Sequence, residues 1–122
     1  MIQSLGGIRK CKNIIILKKI MEKNWKLKLR YGKIKTPYKH YTAIADGIVG
    51  ELIDGFDCRA GKAYMGMKTW SLSIEESADM IKVIGKEIGF EVTGKIEVYI
   101  TEANEPPCEK PYGYDINLTP YD

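Results

Sequence analysis

One histidine, two phenylalanines and three cysteines are all the chain carries of those residues among 122. With His40 as the sole imidazole, no metal site built on several histidines exists, and only a carboxylate-based one is left open. The cysteines, Cys11, Cys58 and Cys108, are odd in number and far apart, with no C-x-x-C, so neither a disulfide framework nor a zinc site is signalled. No apolar run approaches the roughly 20 residues of a membrane helix. The longest strongly apolar stretch, Ile14–Leu17, also falls short of the roughly 7–15-residue core of a signal peptide. "CRAGK", from Cys58 to Lys62, has a glycine and a lysine but not the G-x-x-x-x-G-K-[ST] spacing of a phosphate-binding loop. The expectation from these absences is a cytoplasmic protein with no cofactor and no metal.

What is present is ordinary for a folded domain: 44% hydrophobic and 29% charged residues, in a length that suits one domain. The net charge of +3 conceals an asymmetry. Residues 1–40 hold 12 Lys or Arg and one Glu, whereas residues 41–122 hold 7 Lys or Arg and 15 Asp or Glu. The first 20 residues have no period of 2 or 3.6 and contain no acid, and Met21 stands directly before a patterned segment. Residues 1–20 are therefore expected to be an N-terminal extension, a misassigned start or a basic arm, ahead of a single domain over residues 21–122. The intact mass of the native protein distinguishes these, because a mass that includes Met1 ends the misassigned-start reading.

From Trp25 the pattern alternates: Trp25, Leu27, Leu29 and Tyr31 against Lys26, Lys28 and Arg30, the pattern of a half-buried strand. Asp46-Gly47 between "YTAIA" and "IVGEL" is a hairpin signal, because Asp-Gly accepts the positive φ a tight turn requires. Strands are expected at about 38–45 and 48–53, and again in "KAYMGMKTWSLS". "SIEESADMIKVIGKEIGF" predicts a helix over about 73–89. Ser73 is its N-cap with Glu76 in a capping box, Ile74, Ala78, Ile81, Ile84 and Ile88 form its apolar stripe, and Gly89 is its left-handed stop. "TGKIEVYIT" reads as a strand. Pro106, Pro107 and Pro111 make residues 104–113 an extended, stiff connection, and Tyr114 to Thr119 a short last strand on an edge. The predicted fold is α+β: an antiparallel or mixed sheet of five or six strands, with one long amphipathic helix on one face. Its strand–helix–strand unit from Lys62 to Thr101 makes it partly ferredoxin-like.

Two places draw attention as sites. The stiff connection bears Glu105, Glu109 and Tyr112, with Tyr114 just beyond; rigid loops lose little entropy on binding, and tyrosine is favoured at binding hot spots. Cys58, beside Arg59 and Lys62 in a loop, is the thiol whose surroundings favour a lowered pKa, and with His40 it forms the alternative site of a small enzyme or ligand-binding protein. Asp46, Glu51, Asp54 and Asp57 fall within twelve residues and suit a solvated loop. Basic and aromatic residues interleave in "WKLKLRYGKIKTPYKHY". That is a weak nucleic-acid signal, since Trp25 and Tyr31 share a face with Leu27 and Leu29, and "GKAYMGMKTW" does not match the RNA-recognition strand. The leading expectation is a small protein-binding module of inhibitor, immunity or accessory type, whose acidic half suits a basic protein partner. A membrane is not expected as a partner, and a homodimer through the helix-free face of the sheet is a further expectation.

Overall fold

The computed structural model describes residues 25–31 and 35–121, so the expectation for residues 1–20 lies outside the described residues. The elements are α1 (Trp25–Arg30), β1 (Lys39–Val49), β2 (Gly61–Ser71), α2 (Ile74–Ile88), β3 (Phe90–Ile100) and β4 (Tyr112–Pro120). The strands form one antiparallel sheet in the order β3-β1-β2-β4. The protein is α+β with α2 packed on one face, but the described sheet has four strands rather than five or six, and the long helix is joined by a short one.

Both differences have local causes. Asp46-Gly47 makes no hairpin: β1 runs straight through it for 11 residues, and Gly47 is not among the glycines with positive φ. The glycine serves a close approach instead. A Cβ there would lie 2.1 Å from the Glu91 carbonyl oxygen and 2.6 Å from the Phe90 ring. The chain turns between β1 and β2 over residues 50–60, where Gly55 has φ +98°. Trp25–Arg30 is helical rather than extended because Trp25 and Leu29, four residues apart on a helix, both pack into a small cluster with Trp70, Tyr112 and Tyr114. Leu27 and Tyr31, on the same side in a strand reading, are 50% and 72% exposed. Leu, Lys and Arg are good helix formers, so a six-residue run follows what it docks on.

α2 is anchored at both ends. Ser73 Oγ accepts from the Glu76 N–H at 3.1 Å, and Glu76 Oε1 reaches back to the Leu72 N–H at 2.6 Å. Gly89 stops it with φ +108°, its N–H shared between the Gly85 and Lys86 carbonyls. The buried stripe is Ser77, Ile81, Ile84, Gly85 and Ile88, while Ile74 is 46% exposed. Ser77 belongs to it because its hydroxyl pairs with Thr69 at 2.7 Å and Ser71 at 2.6 Å, which satisfies three buried hydroxyls together. Ile81, Ile84 and Ile88 pack against Ala43, Ala45, Val49, Met65, Met67 and Phe90, forming the main core between helix and sheet.

Both edge strands are irregular. Opposite Asp46 of β1, β3 places Thr93, Gly94 and Lys95. Opposite Met67 of β2, β4 places Asp115 and Ile116, with Asp115 in the left-handed region at φ 55°. Such bulges bend a strand and re-aim its side chains. The Gly47→Ala variant is expected to lose about 1–3 kcal/mol or more, the cost of overpacking against backbone that cannot yield. A urea titration checks this, and an unchanged midpoint contradicts the close approach.

Candidate functional site

β3 and β4 are the opposite edges of the sheet, so the chain between them has to cross it. Residues 101–111 make that crossing as a strap over the face away from α2. Alternation fixes the face: Met65, Met67 and Thr69 point to the helix, so Trp70 points away, and His40 lies opposite Trp70 on β1. The strap is tied down by side chains rising from the sheet. Trp70 Nε1 donates to the Glu105 carbonyl at 2.7 Å, Tyr112 Oη to the Pro106 carbonyl at 2.6 Å and Tyr38 Oη to the Glu109 carbonyl at 3.1 Å. At the centre, Tyr114 Oη accepts from the N–H groups of Asn104 at 2.9 Å and Glu105 at 3.3 Å. It lies 2.7 Å from His40 Nε2, and His40 Nδ1 lies 3.1 Å from both the carbonyl and the hydroxyl oxygen of Thr101. The His40 ring meets Trp70 edge-on at 5.2 Å and Tyr114 at 5.7 Å. Lys68 connects this cluster to β4, with Nζ 2.5 Å from Asn104 Oδ1 and 2.9 Å from Asp115 Oδ2.

Burial gives the cluster its electrostatics. It pushes the His40 pKa below its ordinary 6.5; the Thr101 bond opposes this and the Lys68 charge adds to it. Burial also raises the Tyr114 pKa, against the two strap N–H bonds that favour a tyrosinate. A cleft of about 250 Å³ opens beside the cluster, between α1 and the sheet end, lined by Trp25, Leu29, His40, Trp70, Thr101 and Ala103 with the charged Lys26, Arg30 and Glu102. Beyond the strap no described residue covers the face away from α2. There a shallow groove of about 330 Å³ runs between Thr42, Ile44, Tyr64, Gly66, Lys68, Asp115, Asn117 and Thr119. Tyr64 and Tyr121 rings pack at 4.5 Å, and Tyr121 Oη donates to Asp46 Oδ1. On the β3 side, Tyr99 Oη donates to Glu97 at 2.7 Å and Lys95 sits 3.1 Å from the same carboxylate.

The residues singled out in the sequence are distributed as follows. Tyr112, expected on the recognition loop, and Tyr114, expected as a binding residue just beyond it, are only 2% and 7% exposed and point inward. A strap has to be held, and the aromatic hydroxyls hold it. Glu105 is half-buried and Glu109 exposed. Cys58 and His40 do not meet. His40 is near the start of β1, and Cys58 lies in the connection beyond its end, nine residues or about 30 Å along the strand. Cys58 is half-buried against the main core and Arg59 is exposed. Among the described residues no three His, Cys, Asp or Glu side chains group as a metal site, and no helix is long and apolar enough to cross a membrane. No protein-family model matches this chain, and no curated protein and no solved structure matches it.

Sequence reasoning missed the exposed Tyr64 and Tyr99 as surface aromatics. The signal available was their place among polar neighbours in alternating strands, opposite to Met65 and Val98.

Two outcomes follow from the cluster. Tyr114→Phe leaves two strap N–H groups without that acceptor and is expected to cost about 1–3 kcal/mol, more than Tyr112→Phe, which loses a single donor. Because His40 binds its proton more weakly when folded than unfolded, protonation favours the unfolded chain. Stability is therefore full above pH 6.5 and declines as pH falls below that value. Urea midpoints across pH measure both effects, and His40→Gln should flatten the decline that begins near pH 6.5.

Proposed function

We propose that the protein is a small binding module that receives a basic protein partner on the uncovered, helix-free face of its sheet. The observation that carries this reading is the face itself. Among the described residues α2 lies on the other face, α1 docks only beside the strap at one end, and the rest of the face presents Tyr64 and Tyr99 at 44% and 49% exposure beside Ile44 and Ile48. Tyrosine offers large rigid contact area with a polar tip, the usual composition of a hot spot.

Charge argues for the sign of the partner. Residues 41–122, which supply nearly the whole sheet, carry 15 acids against 7 bases. Of the cations near the exposed tyrosines, Lys68 and Lys95 are engaged by Asp115 and Glu97, while Lys62, two residues before Tyr64 on the same face, is exposed. Glu109 on the strap adds a further exposed acid. Such a surface steers and selects a cationic protein rather than an anionic one. An inhibitor or immunity-type protein, or an accessory subunit, is the form of module that fits, acting inside the cell. His40 near the start of β1 and Cys58 beyond its end give the alternative enzyme site less support than the open face gives a binding module.

The test is a binding titration against a basic protein captured on the wild-type chain. Tyr64→Ala with Tyr99→Ala is expected to weaken binding by about tenfold or more. Val83→Ala, on the outer side of α2 at 57% exposure, is expected to leave it unchanged. Added salt should slow association. Equal affinity in the tyrosine variant sinks the reading. A solution mass of twice the chain, abolished by the same variant, replaces it with self-association through this face.

A further inference from the structure

His40, the chain's one histidine, is 6% exposed with both ring nitrogens engaged. Counting hydrogens at its partner decides how. A tyrosine hydroxyl has one proton to give and two lone pairs to receive. Tyr114 Oη receives the N–H groups of Asn104 and Glu105, so both lone pairs are taken. Its one proton goes to the remaining neighbour, His40 Nε2, which must be bare. The proton of neutral His40 is then on Nδ1 and is donated to Thr101. The Nδ1 proton is shared between the two Thr101 oxygens, and between His40 and Tyr114 the bond runs in one direction only.

This arrangement does not tolerate a second proton on the ring. An Nε2–H would face an oxygen already saturated by two N–H donors, and the Tyr114 hydroxyl proton would lose its acceptor. Among the described residues no carboxylate is hydrogen-bonded to the ring. Lys68 from β2 is held by Asp115. Lys26 and Arg30 from α1 line the same cleft, as does Glu102 of the strap, which is 80% exposed and 3.8 Å from Lys26. The Glu105 carboxylate of the strap acts on Tyr114, whose pKa it raises. The way out is for the strap N–H groups to leave Tyr114 Oη.

We propose that His40 and Tyr114 form a proton-operated latch: protonation of His40 expels the Asn104 and Glu105 N–H groups from Tyr114 Oη and frees the middle of the strap from the sheet. The latch is independent of what binds the open face. Its release uncovers Trp70, whose Nε1–H donates to the Glu105 carbonyl in the closed strap.

The single histidine makes the test direct. Nitrogen-15 NMR of the imidazole in the full chain is expected to show the Nδ1–H tautomer at neutral pH. On acidification the charged ring should appear in step with new positions for the Asn104 and Glu105 amides and the Trp70 indole N–H. The Ala43 and Met65 amides, in the centre of the sheet, should stay in place. Tyr114→Phe keeps the ring and removes the oxygen. In that variant Asn104 and Glu105 should exchange about tenfold faster already at neutral pH, the factor one lost hydrogen bond carries. An Nε2–H tautomer at neutral pH, protonation of His40 with both amides unmoved, or unchanged exchange in Tyr114→Phe overturns the latch.

Discussion

The chain leaves β3 at one edge of the sheet and has to start β4 at the other, three strand spacings or about 14 Å away. Much of what is distinctive in the described structure answers that requirement. The prolines stiffen the crossing. Its carbonyls and N–H groups, which a ladder would otherwise satisfy, are met instead by Trp70, Tyr112, Tyr114 and Tyr38 from beneath. The aromatic side chains that do this also bury one another, so the crossing brings with it a second small core on the helix-free face. α1 finds its place on that core, and among the described residues the rest of the face is left open because the strap spans only one end of it.

The two faces of the sheet are consequently held by different forces. On one side α2 contributes isoleucines to a continuous apolar core, where burial of area is the main term. On the other, directional bonds to the strap backbone dominate, and each depends on its neighbours for the right proton in the right place. The first kind of packing tolerates small shifts in position. The second tolerates shifts poorly, because an unmatched donor beneath the strap has no water to turn to.

α2 was legible in the sequence because its signals are local: cap, stripe and stop all fall within 17 residues, Ser73 to Gly89. β2 and β3 were legible for the same reason, in their alternation. The reading failed where a distant partner decides. Asp46-Gly47 looks like a turn until β3 lies against Gly47, and Trp25–Arg30 looks like a strand until Trp70 lies beneath it. The cluster was half visible. The proline-rich segment was recognisable as a crossing with tyrosines at its end, but nothing local says that Tyr112 and Tyr114 point inward. His40 looked isolated because Thr101 is 61 and Tyr114 is 74 residues further along.

The bulges on β3 and β4 bear on how such molecules behave when crowded. A straight border of unpaired N–H and C=O groups invites the border of another copy, and repetition of that event builds a fibre. Here neither border is straight. Three residues of β3 stand out against Asp46, and on the other side Asp115 twists β4 out of register before Pro120 closes it. Edge-to-edge growth therefore has no regular template on either side, and concentrated protein is directed towards contacts made through faces, which are finite.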